Sequence, residues 1–379
     1  MKIQTFRFVS VLTFYILGSL SGECAIARLL SPENGESVSQ RTVLQGEFAR
    51  LEESLAADEA SFSRGDFDKF KGNLKRGLNC VPAPVKFRWE GEGKFLLRIS
   101  KNADFSNPLI YVVKDGRGVD VYNLEIGTCY YWRVENVSGV SQTRKFATKS
   151  ETPRRIKIDG LTNVRDIGGM SVGGGLKVRQ GAVFRGTEFD YRLKITPDGE
   201  RVFLSELGIK TDIDLRGKDE LEKAGEGLPV PRFNFAVSGY HIFDGKNLAK
   251  YIEALKLIGS ADRLPAYVHC WGGADRTGTF FILLESVLGY SDAQILEDFE
   301  ATSLSIHGTR TRFKELKNML AELKKYGKGS IAENVLQLLR ENSMTDADFD
   351  KIRAAMLLPE TAPQPKKRAL SRIKRAGIR

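Results

Sequence analysis

Cysteine is scarce in this chain, at four of 379 residues, and no internal repeat stands out. The apolar run near the start, Phe8 to Leu20, falls short of the roughly 20 residues that a helix needs to cross a bilayer. The N-terminal half holds no grouping of nucleophile, proton donor and anion clamp, so any catalysis is expected beyond about residue 150. Strong net charge is also lacking once two segments are set aside. The chain carries +10, residues 1–27 supply one unit of it, and seven positive residues fall among the last fifteen: Lys366, Lys367, Arg368, Arg372, Lys374, Arg375 and Arg379. The body between is only mildly basic, and no nucleic-acid partner is expected. The tail after Pro363 and Pro365, residues 361–379, is expected to be disordered and solvated, with weak contact to an anionic membrane surface as the alternative.

Lys2 and Arg7, the apolar run, and Ala25-Ile26-Ala27 as a small-x-small site read as a signal peptide over residues 1–27. An uncleaved anchor is the alternative, and Glu23 argues against a lipoprotein signal at Cys24. The expected destination is exported, periplasmic or extracellular. Three cysteines would survive cleavage. An oxidising compartment favours pairing Cys80 with Cys129 and leaving Cys270 free.

What is there is concentrated in one run, Val268-His269-Cys270-Trp271-Gly272-Gly273-Ala274-Asp275-Arg276-Thr277-Gly278. Apolar residues precede it (Ala266, Tyr267) and follow it (Phe280 to Leu284), the pattern of strand, tight loop and buried helix. Such a loop turns its N–H groups inward at a helix N-terminus and makes a site for a phosphate dianion. The same positive end favours thiolate over thiol at Cys270. The planar fork of Arg276 can meet two phosphoryl oxygens at once, as lysine could not. A buried structural cysteine beside an ordinary surface arginine would explain neither the paired glycines nor the Thr-Gly that follows.

The motif His269-Cys270-x5-Arg276-Thr277-Gly278 resembles the signature of the cysteine-dependent protein tyrosine phosphatase superfamily. Three upstream elements are similar to the bacterial tyrosine/serine protein phosphatase family: Asn163-Val164-Arg165-Asp166-Ile167-Gly168-Gly169, Gly181-Ala182-Val183-Phe184-Arg185-Gly186 and Asp212-Ile213-Asp214-Leu215-Arg216. The resemblance implies hydrolysis of a phosphomonoester through a phosphocysteine intermediate, without metal or other cofactor, on a phosphorylated protein or small phosphomonoester, in a bacterial cell. It implies Cys270 as nucleophile, Arg276 as clamp, and Thr277 as donor to the departing thiolate. Trp271, Gly272, Gly273, Ala274 and Gly278 complete the phosphate-binding loop, and His269 supports its geometry.

The general acid has two candidates. The resembled family places it just before the arginine, at Asp275; larger tyrosine phosphatases carry it on an upstream loop, which points to Asp244. Asp214 and Arg216 either line the pocket or form a structural ion pair. Asp166 and Arg165 carry the same ambiguity, with a buried pair favoured. Relatives that accept phosphoinositides often carry lysine where this chain has Ala274, so phosphotyrosine, with dual specificity open, is favoured over an inositol phosphate or phosphoinositide. Trp271, Tyr240 or Phe243 could wall a tyrosine slot. A non-catalytic phosphate-binding or adhesion module is the remaining alternative.

Before the loop, residues 83–148 alternate in strand fashion (Val85, Phe87, Trp89; Phe95, Leu97, Ile99; Tyr130, Trp132, Val134), the pattern of an antiparallel sandwich. Leu124-x-x-Gly127-Thr128-x-Tyr130-Tyr131-Trp132 resembles a fibronectin type III module, which implies a spacer or a binder of a surface partner. The expected organisation is an all-β fibronectin type III/Ig-like sandwich over residues 28–150 with a helical insertion at about 43–75, then an α/β phosphatase domain over 151–360. That domain should hold a mostly parallel sheet flanked by helices, with the loop at a strand's C-terminal end.

Overall fold

The computed structural model describes residues 27–57, 70, 79–114, 117–305, 308, 310, 313–360 and 373–375. The leader, most of the second part of the expected insertion, and most of the C-terminal tail lie outside the described residues.

Period-two patterning builds the first part of the chain. In Val85–Glu90 the alternate residues Val85, Phe87 and Trp89 are buried, because successive side chains of a strand face opposite ways. Arg28–Ser31, Val85–Glu90 and Gly118–Val121 form one sheet. Phe95–Ser100, Leu109–Val113, Cys129–Asn136 and Arg144–Thr148 belong to a second. Side chains from both meet in one core, where the Phe87 and Trp132 rings pack edge to face at 5.1 Å. Burying each such side chain contributes about 1.5–3 kcal/mol.

The expected insertion begins as the helix Val43–Ala57, and its Phe48 packs with Phe70, Cys80 and Leu304. One expectation fails in this part. Cys80 and Cys129 are both free thiols: Cys80 is drawn into that small apolar cluster, while Cys129 opens the strand Cys129–Asn136 and is exposed. Of the C-terminal tail, the described residues Ile373–Arg375 form a strand parallel to Leu109–Val113. An open sheet edge offers unpaired N–H and C=O groups that any extended segment can satisfy.

From residue 154 onward the architecture is α/β. Its central sheet runs in the order Arg154–Arg155, Arg165–Asp166, Val183–Gly186, Ala266–His269, Thr211–Asp214, Arg232–Asn234. The last four are parallel and the first two antiparallel at one edge. Helices Gly245–Ile258, Asp275–Leu288, Ile331–Glu341 and Asp346–Met356 contribute to a large core on one face. A smaller cluster of Ile156, Phe184, Phe189, Phe203 and Tyr267 covers the other. With helices on both sides, Ala266–His269 is buried at every position, and Ala266, Tyr267 and Val268 run on without the alternation of a half-exposed strand. Helix Asp275–Leu288 is buried from Thr277 to Leu288; the unbroken apolar run Phe280–Leu284 leaves it no polar face there to turn to water. The Cys270 loop therefore leaves the middle of the sheet at a strand's C-terminal end and enters the most buried helix of the fold.

The two parts are joined by polar contacts. The Gln180 side-chain amide and the Ile126 backbone exchange two hydrogen bonds of 2.9 Å. Arg154 donates to the carbonyls of Leu124 (3.2 Å) and Asn123 (2.6 Å) and to Asp166 (2.7 Å).

Candidate active site

Each carbonyl from Cys270 to Gly273 is held from outside the loop. The Cys270 carbonyl lies 3.1 Å from His269 Nδ1, and the Trp271 carbonyl accepts from the Glu188 N–H at 2.9 Å. Asn163 Nδ2 donates to the carbonyls of Gly272 and Gly273, both at 3.1 Å. Arg185 Nη2 donates to Gly273 as well, at 3.0 Å. In a planar trans peptide the following N–H points opposite to the carbonyl. Tying the carbonyls outward therefore turns the next N–H groups to the inner side. Those of Gly272, Gly273 and Ala274 donate to no protein acceptor among the described residues. Three unsatisfied donors beside a helix N-terminus make an anion site.

Two glycines are required by space. Gly273 has φ +64°, and a β-carbon there would fall 2.3 Å from the Gly186 carbonyl oxygen. At Gly278 a β-carbon would press on the Phe299 ring at 3.0 Å, so this glycine serves helix packing rather than the anion.

His269 is fully buried, with Nε2 2.9 Å from Asp212 Oδ1 in a contact off the hydrogen-bond line. Burial disfavours its charge, but Asp212 and Asp214 overcome that and raise its pKa to about 9. It is an imidazolium near neutrality, adding a fixed positive charge beside Cys270, which is itself buried. Thr277 Oγ1 is buried without a polar partner among the described residues.

Arg276 is gripped by Glu220: Nη1 pairs closely with Oε2, and Nη2 donates to Oε1 at 3.2 Å. The hydrogen bond from Arg276 is the main reason that the Glu220 carboxyl sits low, at about 2. Glu220 was not singled out from the sequence. It lies on the short helix Lys218–Leu221, just beyond the Asp-Leu-Arg element, and only the fold carries it to the loop.

Asp275 opens the helix with its carboxylate half-exposed. Its Oδ1 accepts from Tyr240 Oη at 2.6 Å and from Arg310 Nη1 at 2.8 Å. Oδ2 receives only a long 3.5 Å approach from Arg310. Burial and the adjacent Asp275 push the Tyr240 phenol up, so Tyr240 stays a donor. Asp244 is instead the exposed N-cap of Gly245–Ile258, accepting from the N–H groups of Lys246 and Asn247. Phe243 stacks on Tyr326, and Trp271 stands exposed.

The remaining candidates are structural. Asp214 and Arg216 pair at 2.7 Å, fully buried, with Glu188 and Asp190 also on Arg216; they do not line an open pocket. Burial opposes charge on Asp214, yet His269 and Arg216 hold it down at about 2. Arg165 and Asp166 are not each other's partners, because adjacent strand residues face opposite ways. Arg165 pairs with Asp298 (2.6 Å) and donates to Asn163 Oδ1 (2.7 Å). Asp166 takes Arg154 and the N–H groups of Gly168 and Gly181. Asp298 also pairs with Arg185, so one carboxylate braces both arginines that support the loop.

No curated protein matches the chain. Among solved structures, P. aeruginosa TpbA is 16% identical, with a TM-score of 0.33 over 49% of this chain and 96% of that one. The core catalytic domain of the PP-IP phosphatase SIW14 from S. cerevisiae is 14% identical, with a TM-score of 0.25 over 37% and 87%. Tk-PTP in its active form is 20% identical, with a TM-score of 0.22 over 40% and 98%. The model of the tyrosine phosphatase family matches residues 156–356, more than half of the chain and all of the site just described, and the protein belongs to that family.

Proposed function

We propose that this phosphatase hydrolyses phosphomonoesters, with phosphotyrosine as the favoured ester and dual specificity open, through a phosphocysteine intermediate on Cys270. The observation that carries the proposal is the set of outward-tied carbonyls, which leaves the Gly272, Gly273 and Ala274 N–H groups without an acceptor among the described residues and open to an anion. Cys270 Sγ attacks phosphorus, the S–P bond forms as the ester O–P bond breaks, and Asp275 protonates the leaving oxygen. Water then attacks the phosphocysteine, Asp275 accepts its proton, and phosphate leaves as Thr277 donates to the departing thiolate. Charge spreads over three phosphoryl oxygens in each transition state, where fixed amides and the Arg276 fork act most strongly. The helix-capping engagement of Asp244 supports Asp275 as the acid, and the orphaned hydroxyl of Thr277 supports its role.

The test is vanadate-sensitive hydrolysis of p-nitrophenyl phosphate and of a phosphotyrosine peptide. Cys270→Ser should abolish both; undiminished turnover in that variant would remove the nucleophile and the proposal with it.

The β-rich region we read as a fibronectin type III-like module over residues 28–150, ahead of the phosphatase domain over 151–360. Its two-sheet strand order supports this, as does Tyr130, whose hydroxyl accepts from the Glu125 N–H at 2.9 Å in the manner of a tyrosine corner. Residues 1–27 we read as directing export; a mature N-terminus that retains Met1 would refute cleavage.

A further inference from the structure

A wide groove lies outside the loop, where the β-rich region meets the α/β domain. It holds about 1120 Å³, and seams between packed units are where ligand sites collect. One wall is the segment of residues 81–84, the other the stretch of residues 157–162 with Leu193. Both walls are fixed before anything binds. Gln45 Nε2 donates to the carbonyls of Asn79 and Val81, each at 2.8 Å, and the Ala83 N–H donates to the Gln40 carbonyl at 2.8 Å. Across the seam, Asn123 accepts from the Lys157 N–H at 2.7 Å and donates to the Lys157 carbonyl at 3.0 Å. The rings of Pro82 and Pro84 remove backbone freedom that binding would otherwise have to quench. The groove reaches the rim of the active site: Leu193 follows Arg192, whose guanidinium lies 4.9 Å from the centre of the Trp271 ring.

Its lining is apolar, with positive charge left uncompensated. Pro82, Ile158, Leu161 and Leu193 line it together with Val43, which stands 80% exposed at the start of helix Val43–Ala57. Three cations, Arg41, Lys86 and Lys157, share the lining with one acid, Asp159. Asp159 Oδ2 already accepts from Thr196 Oγ1 at 3.2 Å, and Arg41 is committed to the Thr152 carbonyl. The two lysines have no such tie. Lys86 is exposed, the Lys157 ammonium lies 4.2 Å from the centre of the Tyr122 ring, and neither meets a carboxylate among the described residues. We propose that this groove docks the substrate polypeptide beside its phosphotyrosine and selects segments that carry acidic side chains among apolar ones. This rests on the phosphotyrosine reading of the Cys270 site and extends it to the residues flanking the ester. Apolar walls with spaced ammonium groups complement a chain whose side chains are mixed in the same way. A bilayer surface, being flat, meets only the rim of such a groove. The β-rich region thereby takes part in choosing the substrate, although it holds no catalytic group.

The experiment measures kcat and KM of the full chain, of Lys86→Glu, and of Lys86→Glu combined with Lys157→Glu. The probes are p-nitrophenyl phosphate and two phosphotyrosine peptides of equal length, one flanked by glutamate and leucine, the other by lysine and serine. The wild-type chain should favour the acidic peptide. In the double variant, kcat/KM on that peptide relative to p-nitrophenyl phosphate should fall about 10-fold, through KM rather than kcat, and that on the basic peptide should rise. The single variant should show part of the same shift, and added sodium chloride should shrink the wild-type preference. An unchanged ratio, or equal losses on all three probes, would overturn the proposal. A change of sedimentation coefficient in the variant without a change of peptide preference would overturn it in favour of a second copy of the chain. A loss confined to binding of phosphatidylserine vesicles would overturn it in favour of a membrane. Fluorescence anisotropy of the acidic peptide with its tyrosine unphosphorylated reads the groove without the loop. Its binding should persist in Cys270→Ser and weaken in the double variant. Failure of the phosphocysteine reading stays separate, because it would show as turnover of p-nitrophenyl phosphate by Cys270→Ser.

Discussion

Replacing Asn163 by aspartate isolates the carbonyl supports of the loop. Asn163 is buried at φ +56°, a left-handed conformation that Asn and Asp tolerate better than other side chains. Aspartate keeps the volume, the backbone preference and an oxygen for Arg165 Nη1, now 2.7 Å from Asn163 Oδ1. What changes is the amide nitrogen 3.1 Å from the Gly272 and Gly273 carbonyls, which becomes an oxygen facing oxygens. The Gly273 carbonyl keeps Arg185 at 3.0 Å, but that of Gly272 has no other support among the described residues. An orphaned buried acceptor costs about 1–3 kcal/mol, and repulsion from the new oxygen adds to it, giving about 2–4 kcal/mol for the loop. At about 1.4 kcal/mol per tenfold, kcat/KM on p-nitrophenyl phosphate should fall by about 30- to 1000-fold. The inhibition constants of vanadate and phosphate should rise in parallel, because all three use the same N–H groups. The melting temperature should move less, since the Arg165 pair gains a full charge. Intact turnover and unchanged anion affinity in a folded Asn163→Asp protein would refute the claim that these carbonyls aim the loop.

Three further outcomes are expected. His269 has a folded pKa of about 9 against 6.5 for the free side chain; its contribution of about 3 kcal/mol is complete below pH 6.5 and is lost as pH rises through 9. Urea titrations of wild type and His269→Gln between pH 6 and 10 should therefore converge, and a constant difference would exclude the charged imidazole. Asp275→Asn should slow substrates with poor leaving groups by about 10²–10⁴-fold and spare good ones, while Asp244→Asn loses only a helix cap of about 1 kcal/mol; a leaving-group-independent loss at Asp275 would count against it as the acid. Arg154→Met leaves Asp166 buried without its cation and should lower stability by about 3–5 kcal/mol in chemical denaturation; an unchanged midpoint would mean that the junction carries no load.

How much could be read in advance follows from sequence separation. The Cys270–Gly278 run was legible because its parts are neighbours and their geometry is local. The alternation of Val85, Phe87 and Trp89 was legible for the same reason. Partnerships across the fold were not. Glu220 lies 56 residues from Arg276, Asn163 lies 109 from Gly272, and Asp298 lies 113 from Arg185. Nothing in a linear pattern tells a buried carboxylate which of several arginines it will meet until strand register has been set. The same limit separated Arg165 from Asp166, whose adjacency in sequence suggested a pair that the pleat forbids.

The N–H groups held around the Gly272–Ala274 turn have one further consequence. Donors that grip phosphoryl oxygens in passage cannot tell a departing product from an arriving ester. Inorganic phosphate should thus compete for the turnover site and raise the melting temperature as its concentration climbs past its dissociation constant. An enzyme built this way slows as its own product accumulates, and the phosphate level around it helps to set its working rate.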